Sequence, residues 1–177
     1  DLGEVEKLTN ELGKSQKRLN PMLAQISLPR GFSLLSDNQD SVYYRLIARM
    51  AKRKNLTVDD LASYGAGYTT EGAWEPYVIF PVIEWGNVVY YQGRTYGSGV
   101  AGKTKKFPSK HECPLGSRYW VYNIDEARSR GVSTVIIVES ILNVISIEKK
   151  IQSVGASDKV AAVCVFKHHV SAAQLSK

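Results

Sequence analysis

Hydrophobic positions fall along this chain in three rhythms. Over residues 1–20, "DLGEVEKLTNELGKSQKRLN", Leu and Val recur at loose helical spacing among charges. That apolar stripe is too thin for a core, so residues 1–27 are predicted to be a linker or docking helix. "PMLAQISLPRGFSLLS" holds Pro21, Pro29 and Gly31 and predicts an extended connection. "QDSVYYRLIARMAKRKN" returns to helical spacing, with Val42, Leu46, Ile47 and Met50 on one face. Arg45, Arg49, Lys52, Arg53 and Lys54 cover the rest, as a solvated face would. "LTVDDLASYG" predicts a short second helix. Thr57 is its N-cap, Asp60 closes a capping box, and Gly65 and Gly67 stop it.

The rhythm then changes. "YVIFPVIEW" and "NVVYYQGRTY" read as strands joined through Trp85, Gly86 and Asn87, a β-hairpin ending in Arg94. A Gly/Lys-rich stretch, "GSGVAGKTKKF", follows. "SRYWVYNIDEARSRG" ends in a short helix stopped by Gly131. "STVIIVES" is a continuous apolar run, the pattern of a strand covered on both faces. "ILNVISIEKKIQSVG" predicts a helix with Ile141, Leu142, Val144, Ile145 and Ile151 inward, Lys149 and Lys150 outward, and Gly155 at its end. "KVAAVCVF" is a second buried strand, and Ser171 caps a last helix. Strand, helix, strand, helix implies parallel strands with a right-handed crossover. The expected fold class is therefore α/β: a mixed α+β N-terminal part with a hairpin, then a parallel β/α unit. No internal repeat is visible.

Composition narrows this only slightly. The 177 residues carry a net charge of +6, a weak pointer to a polyanionic partner. No apolar run is long enough to span a membrane, and no secretory signal opens the chain. The cysteines, Cys113 and Cys164, lie far apart, which argues against a disulfide framework and for an intracellular setting. His111 stands two residues before Cys113, but a zinc site normally needs four ligands, so zinc is not expected.

Two places carry candidate chemistry. Glu139 sits where an apolar strand hands over to a helix. Ligands of parallel α/β sheets gather at such carboxyl ends. Its carboxylate can act as a general base, contribute to a magnesium site, or merely stabilise the helix N-terminus. One carboxylate does not hold magnesium well without further oxygens. The other place is basic. Arg94, Lys103, Lys105, Lys106 and Lys110 are interleaved with Gly97, Gly99, Gly102, Tyr96 and Phe107, a composition suited to phosphates and stacked bases. "GSGVAGKT" matches the P-loop string, but Pro108 and Pro114 follow where a helix would have to open. His168 and His169 read as solvated loop residues.

The order "YGAGYTTEGAWEPYVIFPVIEWGNVVYYQGRTY", "KKF", "RYWVYNIDEA", "VIIVESILNVISI" resembles the catalytic core of DnaG-type primases, the phage branch most of all, over roughly residues 28 to 177. The resemblance implies a primase-core N-terminal subdomain over 28–130 and the first half of a TOPRIM domain over 131–177. It implies a DNA primase, which makes RNA primers on single-stranded DNA from ribonucleotides. Mg2+ would be its cofactor, a replicative helicase a possible partner, and the bacterial cytoplasm its location. Glu139 corresponds to the TOPRIM glutamate, the family's proposed acid/base and metal residue. Arg94 corresponds to the basic residue after the hairpin, and Lys105 or Lys106 to the lysine of the next loop.

The sequence departs from the pattern at several points. Ser140 stands for a glycine, Asn143 for an acid, Tyr77 for a basic residue, and Lys167-His168-His169 for the segment where a glycine is usual. The family's Asp-x-Asp pair and zinc module have no counterpart. Two expectations follow. Either the chain is an excerpt of a primase, or it is a catalytically inactive relative that binds nucleic acid or protein.

Overall fold

A computed structural model describes residues 25–37, 39, 41–96 and 105–177. The expected docking helix over residues 1–20, the P-loop-like string and Lys103 lie outside them.

Five antiparallel strands form the first sheet, in the order β1 (Ser33–Leu34), β2 (Gly67–Tyr68), β3 (Tyr77–Glu84), β4 (Asn87–Thr95) and β5 (Lys105–Lys106). The β3–β4 hairpin is its body. Trp85 and Gly86 both take positive φ, 57° and 73°, as a tight primed turn demands. Asn87 locks the turn by donating its side-chain amide to the Trp85 carbonyl at 3.0 Å. Pro81 is tolerated mid-strand because β2 pairs with β3 only at Ile79, so no bond on that edge is lost there. Gly67 is not a helix stop. It lies in β2, where an added Cβ would come within 2.3 Å of the Phe32 ring and the Ser33 carbonyl.

Helix α1 (Val42–Lys52) starts at Ser41, whose hydroxyl accepts from the Tyr44 amide. It buries Ile47 and Ala51 in the same core as Val78, Phe80, Val82 and Tyr90 of the hairpin. Val42 does not join that face and is 53% exposed. Burial follows Tyr43, Tyr44, Ile47 and Ala51, because the Tyr43 ring stacks on Tyr68 at 5.2 Å and turns that arc inward. The predicted capping box opens α2 (Val58–Ala62): the Asp60 amide bonds Thr57 Oγ1 at 3.0 Å and the Thr57 amide bonds Asp60 Oδ2 at 2.7 Å. Gly65, at φ 67°, ends the segment.

Three further helices and a strand pair complete the described chain. After α3 (Ile124–Ser129) comes β6 (Thr134–Val138), then α4 (Ile141–Ser153), β7 (Val160–Cys164) and the short α5 (Ala172–Leu175). Strands β6 and β7 are parallel, with Thr134 opposite Val160 and Val138 opposite Cys164. Helix α4 buries the five predicted apolar residues and also Glu148. Strand β7 is covered as expected, since Tyr122 and Cys164 exchange backbone bonds along its second edge.

Strand β6 is not. Val135, Ile136 and Ile137 stay 44, 39 and 48% exposed. It pairs with β7 alone, so the apolar run that predicts cover on both faces is an edge strand among the described residues.

Candidate nucleic-acid interface

The hairpin and the parallel unit meet at the two ends where the sequence placed its chemistry. Glu139 leaves β6 and Ser140 caps α4, but the Ser140 side chain makes no capping bond to the helix. Its oxygen accepts instead from Arg94 Nη2 at 2.6 Å. This bond joins the end of β4 to the carboxyl end of β6. Arg94 is partly buried, and desolvation holds its guanidinium below the usual arginine range, where it is still charged at neutral pH. Its Nε is buried with no partner among the described residues.

Cross-strand register settles which lysine stands beside Arg94. Arg94 lies opposite Lys105, and Gly93 opposite Lys106. Directly opposed residues share a face of the sheet and neighbours alternate. Lys105 therefore sits on the Arg94 face. The Cys164 thiol supports the grouping: burial pushes it up to about 11, Lys105 and Arg94 pull it down, and Glu139 pushes it up. All three charges thus act on one sulfur.

Lys106 points the other way. Its Nζ donates to the Ala73 carbonyl at 2.5 Å and lies 4.6 Å above the Trp74 ring and 5.5 Å from that of Tyr77. Gly93 makes this possible, since a Cβ there would lie 2.9 Å from Trp74 and 3.0 Å from Tyr77. Lys110 is exposed in the next loop. Glu112 anchors that loop by accepting from Trp74 Nε1 at 3.1 Å, Tyr91 Oη at 3.0 Å and the Ser109 amide at 2.7 Å. Burial works to raise the Glu112 carboxyl, but these donors hold it below the usual range. Cys113 is buried and donates to the Val89 carbonyl at 3.5 Å, while His111 is exposed.

Glu139 has a partner that sequence reasoning missed. His168 Nδ1 lies 2.7 Å from Glu139 Oε1, so His168 is not simply a solvated loop residue. Proximity arises because β6 and β7 run parallel and end side by side. His169 is exposed. Glu139 itself is half exposed. One carboxylate and one imidazole do not make a magnesium site, which favours six oxygens. Among the described residues no three His, Cys, Asp or Glu side chains gather to hold a metal. The described residues therefore do not fit the metal that the sequence resemblance implies.

A second site-forming pair also escaped the sequence. Glu148, 1% exposed, takes two bonds from Arg130, at 2.8 and 3.1 Å, and one from the Ala162 amide at 2.5 Å. It ties α4 to β7 and so fixes the helix whose first turn carries Ser140. No described helix is long and apolar enough to cross a membrane.

No family model matches the sequence, and no curated protein matches it. Solved structures do. The RNA polymerase domain of Mycobacterium tuberculosis primase DnaG, in complex with double-stranded DNA, is similar at 12% identity and TM-score 0.62, over 81% of this chain and 54% of that one. A DNA primase domain from Pseudomonas aeruginosa is 17% identical at TM-score 0.58, over 78% of this chain and 52% of that one. A DnaG primase catalytic domain bound to single-stranded DNA is 12% identical at TM-score 0.60, over 78% and 51%. This chain spans about half the length of those structures. The antiparallel sheet followed by the parallel β6–α4–β7 unit is thus the fold of the DnaG primase catalytic core, carried over about half of that core.

Proposed function

We propose that this chain is the strand-gripping part of a DNA primase, an enzyme that makes RNA primers on single-stranded DNA for replication. The reading divides it into a primase-core N-terminal subdomain over residues 28–130 and the opening of a TOPRIM domain over 131–177. One observation carries it. Arg94 and Lys105 share a sheet face, and Arg94 reaches Ser140 beside Glu139. Fixed cations next to a strand-end carboxylate suit a phosphodiester backbone lying across the reacting centre. In this reading Arg94 and Lys105 hold template or nucleotide phosphates. Lys110 and Lys103 extend the electrostatic field, and Lys106 braces Trp74. Glu139 is the group poised to move a proton. Ribonucleotides as substrates, a helicase partner and the phage branch rest on the motif order in the sequence.

Binding of a labelled single-stranded oligonucleotide, followed by fluorescence anisotropy at several salt concentrations, tests the grip. Arg94→Gln and Lys105→Gln should each weaken binding and flatten the salt dependence by about 0.7 in log–log slope for each phosphate no longer neutralised. Wild-type binding by both variants would sink the assignment.

A second reading has its own support. Glu139 faces one imidazole rather than a set of oxygens. The chain on its own would then bind DNA without polymerising. Template-dependent ribonucleotide incorporation by the purified chain, lost in Glu139→Gln, would exclude that reading; its absence alongside intact DNA binding would favour it.

A further inference from the structure

A dense run of positive charge lies outside the Arg94 face. Residues 41–56, "SVYYRLIARMAKRKNL", hold five cations and no acid. Arg45, Arg49, Lys52, Arg53 and Lys54 are all exposed. At 3.6 residues per turn, Arg45, Arg49, Lys52 and Arg53 fall within an arc of about 100°. That arc is opposite the buried Ile47 and Ala51. No ion pair between described residues engages any of the five.

A structural role does not account for them. Cations in the last turn suit the helix dipole, which covers Arg49 and Lys52. Arg45, near the positive N-terminal end, gains nothing from it. Five uncompensated charges repel one another, a cost that a polyanion would remove. A membrane surface suits the stripe poorly, because the apolar side of α1 is already committed to the core and has nothing left to insert. The spacing suits a nucleic-acid strand. Arg45, Arg49 and Arg53 recur every four residues, about 6 Å along the axis, a linear array that can track a backbone.

The helix that carries the stripe also starts beside the proposed site. Tyr43, in the first turn of α1, meets the Tyr96 ring edge-on at 6.4 Å. Tyr96 lies two residues beyond Arg94. The helix therefore begins beside the end of β4 and carries its cations away from it.

We infer that the exposed stripe of α1 is a second phosphate-backbone binding surface, which holds the DNA strand where it runs beyond Arg94 and Lys105. This rests on the nucleic-acid reading above, and the test separates the two. The triple variant Arg45→Gln, Arg49→Gln, Arg53→Gln changes exposed positions only, and its circular dichroism spectrum should match that of the wild type. With a labelled oligothymidylate of about 30 nucleotides, its log–log salt slope should fall by about 2, roughly 0.7 for each of three phosphates. The affinity lost between about 50 and 200 mM salt should shrink roughly twenty-fold on the same arithmetic. An unchanged slope in the triple variant, with Arg94→Gln still weakening binding, would overturn the α1 surface and leave the strand grip standing. Failure of the wild type to bind the oligonucleotide would overturn both. Loss of binding to anionic phospholipid vesicles, with DNA binding unchanged, would reassign the stripe and overturn the inference.

Discussion

Replacing Glu148 tests the joint that holds α4, and with it Ser140 and Glu139, in place. The carboxylate is 1% exposed and the Arg130 side chain 15% exposed, so solvent cannot replace what either loses. The carboxylate accepts three bonds, two from Arg130 and one from the Ala162 amide. Arg130 also donates to the Val160 carbonyl at 3.1 Å and is pushed above its usual range, chiefly by its bonds to Glu148. Glu148→Gln keeps the volume and leaves one acceptor for the Ala162 amide, but it removes the charge facing Arg130. Breaking one side of a buried pair costs about 3–5 kcal/mol. With one bond retained, roughly 3 kcal/mol is expected. That is a large share of the ~5–15 kcal/mol by which a domain is stable.

Urea unfolding followed by circular dichroism reads this directly as a lower midpoint at unchanged slope. The double variant Arg130→Met, Glu148→Met removes both charges. It leaves the Ala162 amide and the Val160 carbonyl without these partners and should recover about half of the single variant's loss. A loss below about 1 kcal/mol for Glu148→Gln would refute the reasoning. So would a double variant no more stable than the single one, since it would show that the charges are not coupled.

Two further outcomes follow from local geometry. Gly93→Ala puts a methyl 2.9 Å from Trp74 and 3.0 Å from the Tyr77 Cβ, so it should lower stability by about 1–3 kcal/mol in the same urea assay. An unchanged midpoint would mean that the Trp74 ring yields freely. Asp60 supplies a pH dependence. Burial works to raise its carboxyl, but the bonds from Lys149 and Thr57 win and hold it below the usual value of 3.8. A depressed carboxylate contributes stability that is fully present above its unfolded value and lost as pH falls through the folded value. Lys149→Met, which removes the first of those bonds, should therefore lose less stability than the wild type between about pH 5 and 2. Parallel acid profiles for the two proteins would contradict the assigned cause.

Sequence alone determined what is local. The capping box at Thr57, the cap at Ser171, the Trp85–Gly86 turn, the stops at Gly65, Gly131 and Gly155, and the buried stripe of α4 each arise within about a turn or a strand. Backbone sterics and 3.6- or 2-residue periodicity act over that range. The order of the hairpin, basic segment and β/α unit was equally legible, and it carried the resemblance that the solved primase cores bear out as fold.

Tertiary structure decided what depends on neighbours distant in the chain. Which lysine shares a face with Arg94 rests on a one-residue choice of register, and each such choice exchanges the two faces. The exposure of β6 depends on how many strands pair with it, which an apolar run does not encode. Val42 lost its expected burial to the Tyr43–Tyr68 stack. The His168–Glu139 and Arg130–Glu148 pairs join residues 29 and 18 positions apart. A charged side chain reads the same in sequence whether it meets water or a partner, and only the packing of distant segments supplies the partner.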